Sequence, residues 1–487
     1  VIVSAGTKNK YIRVFIAVLI FLAIKLFLPE INGLTATGVN IIAIFAATIW
    51  LWVFASTVWP SLLAFALVIM FGISDPNSLA AVTYGHWSFG FILTAMLLNT
   101  ALIETGVIDH ISTWFISRKI CKGRPWVFIT MFLLSEFIVA LFLDCAPVTL
   151  VYMTMVDSIC KELGYEKGDR FGKVLTAATL WLVVIGYTST PISHPIAMVM
   201  LGQMSSAGAP VSMLDFCKIG IPFGVLFFIA TIVVLRLLCK PDFTKFEKYD
   251  PDAKAAQMKT LSPEAKISIG VFAAVVVMWL APDLLSGVFP GVAAYFSSIG
   301  TTCAPLLGIA ILAIVHVKGK PVFDVAKGLT QISMPTLIFV MGIQVFCNTI
   351  TSDATGVNTF LGNVFTPIAS SLPPALFIAV ILVASVVLTQ FLSNMVVQSL
   401  FFAAFVPVIQ ATNAAGVTNF SIAAFGMVLT MAVNVSFMFP SSYMCAPICY
   451  GSGYLEIKDG LKLGLPMAVI GTLLLFFIFW PMANALL

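Results

Sequence analysis

Two short polar sequences lie in the middle of long apolar stretches of this chain. Phe142-Leu143-Asp144-Cys145 returns 249 positions later as Phe391-Leu392-Ser393-Asn394. Carboxylate, hydroxyl and amide groups at such positions can bind a polar ligand, and a carboxylate at membrane depth is costly and usually functional. Thr105-Gly106-Val107 and Thr355-Gly356-Val357 repeat in the same way, with an offset of 250. The chain is therefore built from two related halves.

Each half contains a second polar interruption, after its tetrapeptide. The first runs from Gly186 to Pro195 and the second from Phe439 to Pro447, and each contains two prolines and several hydroxyl groups. Proline removes a helix N–H donor, and hydroxyls can cap the helix ends that a break creates. Helix N-termini bind anions without any cationic side chain. We therefore predict a central site between the two tetrapeptides and the two breaks.

The composition sets the class of protein. The chain is 60% hydrophobic and 9% charged, whereas a soluble domain has about 25% charged residues. Many apolar stretches are long enough to cross a bilayer. We predict an all-α polytopic membrane protein with about 11 transmembrane helices and two re-entrant hairpins, in two inverted-topology repeats. The net charge of +4 reflects short basic loops, so no nucleic-acid partner is expected.

The predicted spans and hairpins follow the apolar stretches. The spans lie near 12–29, 38–56, 58–73, 90–117, 171–203, 216–239, 265–282, 288–316, 333–352, 421–453 and 461–486, and the hairpins at 126–160 and 373–410. If each hairpin were instead two full membrane spans, every loop would stay on the same side of the membrane. The distribution of Lys and Arg therefore cannot distinguish the two topologies. The short lengths and polar tips favour re-entry.

The distribution of Lys and Arg predicts opposite orientations for the two halves. Basic residues flank the first tetrapeptide, whereas residues 328–457 contain no Lys or Arg. Loops rich in Lys and Arg stay cytoplasmic, so the first hairpin opens to the cytoplasm and the second to the other side. The N-terminus is then cytoplasmic and the C-terminus outside. Inverted repeats of this kind are typical of secondary transporters.

The predicted domain order follows from these elements. Residues 1–37 form an N-terminal tail and first span, 38–240 the first repeat, with its broken helix at 171–203, and 265–487 the second, with its broken helix at 421–453. Residues 241–264 form a cytoplasmic linker, with a local helix as the alternative.

The plan resembles the divalent-anion/sodium symporter (DASS) family of di- and tricarboxylate transporters. That family has two inverted repeats, each with a hairpin ending in Ser-Asn-Thr and a later unwound helix. Ser393-Asn394 matches the second motif, but Met395 replaces its Thr. At the first tip Asp144-Cys145-Ala146 matches none of the three residues, and the first sodium site of the family is therefore in doubt. No other metal site and no cofactor are expected.

The resemblance implies a set of substrate contacts. Ser393 and Asn394 would bind a substrate carboxylate, beside the second unwound segment. The expected substrate-binding residues are Asp144, Cys145, Ala146, Thr188, Ser189, Thr190, Ser393, Asn394, Met395, Ser441, Ser442 and Tyr443.

Asp144 and His194 are the expected coupling residues. If His194 is protonated and close to Asp144, the fixed ion pair would replace a removable cation and favour obligate exchange. Alternatively, Asp144 itself carries a proton and couples transport to it. The sequence does not choose between these hypotheses.

The resemblance implies a homodimeric, elevator-type carrier in a bacterial plasma membrane. Its scaffold domain would be residues 12–117 and 265–352, and its transport domain 126–240 and 373–487. The expected substrates are dicarboxylates such as succinate, malate, fumarate or 2-oxoglutarate, carried by sodium-independent exchange. Sodium- or proton-coupled symport of a dicarboxylate, citrate, sulfate or a monocarboxylate, and less readily an anion channel, remain alternatives. The four His are scattered and no catalytic spacing is present, so we do not expect an enzyme.

Overall fold

The computed structural model describes residues 5–258, 260–350 and 352–487. The first four residues of the predicted N-terminal tail, residue 259 of the predicted linker and residue 351, inside a predicted span, lie outside this part of the chain. The described residues are mostly helical. Their only strands are a two-residue antiparallel pair, His316–Val317 with Lys320–Pro321. The all-α polytopic class predicted from composition is confirmed.

The helices of the first half have the following bounds. They are α1 (Ala5–Phe27), α2 (Ala36–Phe54), α3 (Val58–Met70), α4 (Pro76–Val82), α5 (Trp87–Glu104), α6 (Val107–Ile116), α7 (Pro125–Ala140), α8 (Cys145–Leu163), α9 (Arg170–Ser189), α10 (Pro195–Ser206) and α11 (Met213–Val234). A single π turn, Leu235–Cys239, extends α11.

The helices of the linker and the second half complete the fold. They are α12 (Pro251–Gln257), α13 (Pro263–Leu285), α14 (Pro290–Ser298), α15 (Gly300–Ile314), α16 (Val325–Leu329), α17 (Met334–Ile350), α18 (Val357–Ser370), α19 (Pro374–Thr389), α20 (Asn394–Ala414), α21 (Ile422–Val433), α22 (Ala446–Gly451), α23 (Ile457–Leu474) and α24 (Trp480–Leu486). A π turn, Leu475–Phe479, joins α23 to α24.

The count of about 11 membrane helices is not confirmed by length. Seven of the described helices are long and apolar enough to cross a membrane, or eight if α14 and α15, bent by 79°, form one broken span. The predicted span 90–117 divides into α5 and α6 because Gly106 takes the left-handed backbone conformation, with φ of 72°. Apolar periodicity cannot detect such a break, because both pieces remain hydrophobic.

Both predicted hairpins form as helical hairpins. The chain reverses between α7 and α8 at residues 141–144, and between α19 and α20 at residues 390–393. The limbs α7 and α19 have only 16 residues each, which is short for a full span. The limbs α8 and α20 have 19 and 21 residues, and α20 is long enough to cross a membrane, so re-entry stays a prediction.

The two predicted broken helices are also present. Residues 190–194 separate α9 from α10, and residues 434–445 separate α21 from α22. Helix α9 is buried along almost its whole length between α7, α8 and α11, and α21 packs on α10, α19 and α20. Each broken helix therefore lies against the hairpin of its own repeat. The division into scaffold and transport domains stays a prediction.

The linker folds onto the first hairpin and contains the alternative local helix, α12. Phe246 and Tyr249 are buried, and both rings lie against Phe128 of α7, with centroid distances of 5.2 and 4.7 Å. The Tyr249 hydroxyl donates to the Ile116 carbonyl at 3.0 Å. These aromatic residues thus pack the charged linker against the base of the first hairpin.

An ion pair adds to this attachment. Lys245 Nζ lies 3.2 Å from Asp169 Oδ2. The backbone N–H of Glu166 and then Lys245 hydrogen-bond the carboxylate and hold the pKa of Asp169 below its usual value. Because both partners are well exposed, we expect this pair to stabilise the fold only slightly.

Candidate functional site

The tip of the first hairpin is built around the carboxylate of Asp144. Asp144 caps helix α8, since its Oδ1 accepts the Ala146 N–H at 3.0 Å. The Tyr187 hydroxyl donates to Asp144 Oδ2 at 3.1 Å. Both carboxylate oxygens therefore have donors, and the N-terminus of α8 is already occupied by a negative group of the protein itself. Donors of this kind stabilise the ionised form of a carboxyl group.

The tip of the second hairpin has no such cap. Ser393 precedes α20 but makes no side-chain bond to its N-terminus. Asn394 instead turns its amide towards the second helix break, donating to Ser436 Oγ at 2.8 Å and to Asn434 Oδ1 at 3.5 Å. The two tips thus differ chemically, since the first carries a carboxyl group and the second only hydroxyl and amide groups.

Hydrogen bonds connect each hairpin tip to the helix break of its own repeat. Thr190 Oγ1 donates to the Leu141 carbonyl. In the second repeat Thr389 Oγ1 donates to the Val433 carbonyl at 2.6 Å, and Gln390 Nε2 donates to the Val435 carbonyl at 2.6 Å. Backbone groups freed by the breaks are satisfied in this way, as burial at membrane depth requires.

His194 lies at the centre of the site. Its Nδ1 accepts the Ile196 N–H at 3.1 Å and so caps α10. Its Nε2 lies 2.6 Å from the Tyr443 hydroxyl and 3.2 Å from Asn434 Oδ1, and its ring stacks on Tyr187 at 3.9 Å. A ring nitrogen that accepts a backbone N–H carries no proton, so these bonds assign the neutral ring with its proton on Nε2.

The expected ion pair between His194 and Asp144 is absent among the described residues. The physical reason is the cap on α10. Protonating Nδ1 would remove the acceptor for the Ile196 N–H and place a positive charge at a helix N-terminus, where it is disfavoured. Tyr187 connects the two residues instead, because it stacks on one and donates to the other.

These groups surround a cavity of about 480 Å³. The tips and breaks form one wall, and residues near the start of α3, in α5 and at the start of α17 form the other. The lining residues are Thr57, Met96, Asp144, Tyr187, His194, Pro195, Ile196, Ser333, Pro335, Thr336, Phe339, Ser393, Asn394, Met395, Pro440, Ser441, Ser442, Tyr443, Met444 and Pro447. A second cavity of about 270 Å³ shares Asp144, His194 and Met96 with it.

Most of the residues expected to bind substrate face these cavities. Asp144, Ser393, Asn394, Met395, Ser441, Ser442 and Tyr443 line the larger one, and Ala146 lines the smaller one.

Four of the expected contacts do not line either cavity. Cys145 is fully buried. Helix α9 continues through Ser189, so Thr188 and Ser189 donate to the carbonyls of Val184 and Ile185 at 2.8 and 2.7 Å. Thr190, in the break itself, donates its hydroxyl to the Leu141 carbonyl at the first tip. Pro191 ends the helix only after these residues, because proline disrupts the turn that precedes it.

Several cavity and bracing residues were not expected from the sequence. Tyr187 carries the Asp144 contact, and Asn434 and Ser436 begin the second break earlier than the predicted stretch. One signal was present: Pro191-Ile192-Ser193-His194 and Pro440-Ser441-Ser442-Tyr443 repeat at the same offset of 249. It places His194 and Tyr443 at equivalent positions of the repeats.

The charge of the site comes from one residue. Among the residues that line the two cavities, Asp144 is the only Asp, Glu, Lys or Arg. Within the described part of the chain, no group of three or more His, Cys, Asp or Glu could hold a metal ion. The cavity therefore offers neutral hydrogen-bond donors, helix N-termini and one carboxylate.

Comparisons with known proteins agree with this architecture. An uncharacterized transporter of Methanocaldococcus jannaschii is 23% identical over 364 residues, which are 74% of this chain and 76% of that protein. The YdaH transporter of Alcanivorax borkumensis superposes with a TM-score of 0.56 at 12% identity, over 83% of this chain and 87% of that one. MtrF of Neisseria gonorrhoeae, from a class of antimetabolite efflux pumps, gives a TM-score of 0.56 at 12% identity, over 85% and 84%.

The match to a family model covers more of the chain than any of these three comparisons. The family model described as the sodium:sulfate symporter transmembrane region matches residues 8–486. The two solved structures show a shared fold only, whereas this match spans nearly the whole chain. The chain belongs to the sodium:sulfate symporter family, the DASS family of membrane transporters.

Proposed function

We propose that this transporter is a secondary active carrier of dicarboxylates of the succinate, malate, fumarate and 2-oxoglutarate class. The observation that supports the proposal is the cavity of about 480 Å³ between two hairpin tips and two helix breaks. A helix N-terminus with free N–H groups binds a carboxylate. The uncapped start of α20, with Asn394 and Ser442 nearby, is the position that suits one carboxylate of the substrate.

The charge of Asp144 favours cation coupling over the exchange predicted from the sequence. An ionised Asp144 without an ion pair to His194 would be a third negative charge beside a bound dianion, and the lining residues of the two cavities include no cationic side chain. Two like charges roughly 5 Å apart repel by about 3 kcal/mol at an effective dielectric constant of about 20. A proton or sodium ion taken up with the substrate would offset this repulsion. Cation-coupled symport is therefore the coupling mode that this site favours, and sodium-independent exchange is the second candidate.

The motion we propose is an elevator movement of residues 126–240 and 373–487 against a scaffold of residues 12–117 and 265–352. The larger cavity lies between these two sets of elements, because Thr57, Met96 and Thr336 face the tips across it. Sliding one set past the other would carry a ligand with the tips. We further propose a homodimer in a bacterial plasma membrane.

Uptake of labelled succinate into sodium-free proteoliposomes tests the proposal. Saturable uptake into vesicles preloaded with unlabelled succinate or malate supports a dicarboxylate carrier. Uptake into empty vesicles driven by a proton or sodium gradient favours symport, whereas uptake that needs preloading favours exchange. Failure under all of these conditions would contradict the dicarboxylate assignment and direct attention to citrate, sulfate and monocarboxylates. Linear, non-saturating flux would indicate a channel.

A further inference from the structure

A second carboxyl group lies behind the first hairpin tip. Glu136 belongs to α7, two turns before Asp144, and its side chain is fully buried. Neither of its carboxyl oxygens has a hydrogen-bond partner. A buried polar group without a partner costs free energy, and such groups in a native structure call for an explanation.

Three buried threonines near this hairpin are also unpartnered. The hydroxyls of Thr149 on α8 and of Thr176 and Thr179 on α9 make no hydrogen bond. Other buried threonines of the chain donate to the carbonyl four residues earlier, as Thr188 does to Val184 and Thr430 does to Gly426. The same bond is available in any helix. These three hydroxyls are therefore turned away from their own helices.

The helix register brings these groups towards Glu136. The Tyr152 hydroxyl donates to Ser135 Oγ at 2.9 Å, which fixes α8 against α7 beside Glu136. Thr149 lies one turn nearer the tip on the same face of α8 as Tyr152, because residues three apart share a helix face. On α9 the side chain of Thr179 interacts with Glu136. The unpartnered oxygens thus come from three helices that pack together.

Among the described residues, no positive group acts on Glu136. The titratable side chains that act on it are Tyr152 from α8, Cys445 from the second break and Cys449 from α22. Near Glu136, helix α9 supplies only the neutral hydroxyl groups of Thr176 and Thr179. An ionised carboxylate in this position would be buried without a counter-charge, which costs several kcal/mol even after relaxation.

Asp144 and Glu136 therefore have opposite environments on one hairpin. Asp144 accepts two hydrogen bonds, from Ala146 N–H and the Tyr187 hydroxyl, which offset part of the free-energy cost of burying its charged form. For Glu136 the described residues supply one hydroxyl, that of Thr179, and no backbone N–H. Two carboxyl groups whose surroundings differ in this way take different protonation states at the same pH.

We propose that Glu136 binds a proton, and that protonation of this carboxyl is linked to binding of an anion in the cavity. The linkage rests on the proposed function. One carboxylate oxygen takes a proton from water when the hairpin is accessible from one side, and the proton returns to water on the other side. While Glu136 is protonated, the carboxyl groups of Glu136 and Asp144 together carry one negative charge fewer. An anion then binds more tightly, and by reciprocity a bound anion favours the protonated form.

The first test needs no substrate. Infrared difference spectroscopy of the full-length protein in membranes compares wild type with Glu136→Gln, whose amide imitates the shape of the protonated acid. We expect a carboxylic-acid C=O band in wild type that is missing in the variant. The control Glu247→Gln changes an exposed carboxyl in the linker and should leave the band in place. A band that is absent, that persists in Glu136→Gln, or that disappears on adding sodium overturns the proposal.

The second test measures the linkage. Succinate affinity of the wild type should rise several-fold from mildly alkaline to mildly acidic pH, with proton uptake on binding, whereas Glu136→Gln should show an affinity independent of pH. A wild-type affinity that does not change with pH would refute the linkage. If succinate binds to neither protein, the substrate assignment is wrong, and the infrared result alone decides whether Glu136 holds a proton.

Discussion

The Tyr443 hydroxyl lies 2.6 Å from His194 Nε2, and the two residues occupy equivalent positions of the repeats, 249 residues apart. Each follows a Pro-x-Ser sequence in the break of its own helix. A contact between equivalent residues of two inverted repeats marks the place where the repeats meet. The cavity opens at this contact, so both helix breaks contribute to one site.

Removing the Tyr443 hydroxyl should weaken this junction. In Tyr443→Phe the ring stays, but His194 Nε2 keeps only its bond to Asn434 Oδ1. We expect a loss of about 1 kcal/mol of stability, the usual contribution of one hydrogen bond, together with reduced succinate transport. Thermal unfolding in detergent and uptake measure the two effects. Tyr84→Phe, at an exposed position, is the matched control, and an equal effect in both variants would argue against a special role for the junction.

Neutralising Asp144 should change the preference for substrate charge. In Asp144→Asn the side-chain oxygen can still cap α8 through the Ala146 N–H, so the fold should survive. Loss of the negative charge should raise the affinity for succinate relative to its monomethyl ester by about tenfold, which corresponds to about 1.4 kcal/mol. Competition against labelled succinate measures the ratio.

A control isolates the charge from the cap. Asp75 caps α4 through the N–H groups of Asn77 and Ser78 and does not line either cavity. Asp75→Asn should leave the affinity ratio unchanged. An unchanged ratio in Asp144→Asn as well would mean that its charge does not act on the ligand.

Truncating Asn394 should weaken substrate binding. The amide is almost fully buried and bridges the second tip to Ser436 of the second break. Asn394→Ala removes this bridge and a neutral donor from the cavity wall, so we expect the KM for succinate to rise by tenfold or more, or about 1.4 kcal/mol. Asn363→Ala removes an exposed amide that donates to the Asn32 carbonyl and should leave KM unchanged. Normal KM in Asn394→Ala would place the substrate elsewhere.

The linker should stabilise the first hairpin through its aromatic residues. Phe246 is 1% exposed and packs on Phe128 and Phe171. Phe246→Ala should cost about 3–5 kcal/mol, as for other buried aromatic residues, and should expose the linker to proteases. Lys248→Ala, at an exposed neighbouring position, should have little effect. Equal protease sensitivity in the two variants would show that the linker is not held by this ring.

The sequence predicted the parts of the site where polar residues or prolines interrupt an apolar helix. Prolines and hydroxyls in apolar stretches revealed the two breaks, and the repeated tetrapeptide revealed the two tips. The sequence could not show that α9 continues to Ser189, because a helical threonine and a cap threonine have the same composition. Tyr187 was missed for a similar reason, since a tyrosine in an apolar helix gives no sign of which carboxylate it meets.

Other differences between the sequence-based predictions and the structure come from tertiary contacts. The charged residues of 241–264 predicted a cytoplasmic linker but did not predict that Phe246 and Tyr249 are buried against the first hairpin. An ion pair of His194 with Asp144, one of the two hypotheses from the sequence, does not form in this structure, because a helix cap uses the same ring nitrogen. Backbone capping depends on local geometry, which residue spacing does not specify.

The most direct test of the central claim is a cryo-electron-microscopy map of the protein in nanodiscs with saturating succinate. We predict ligand density in the cavity between the tips, touching Asn394 and Ser442, with Asp144 still bonded to Tyr187. Density in another part of the protein, or an empty cavity at a concentration that saturates transport, would contradict this account.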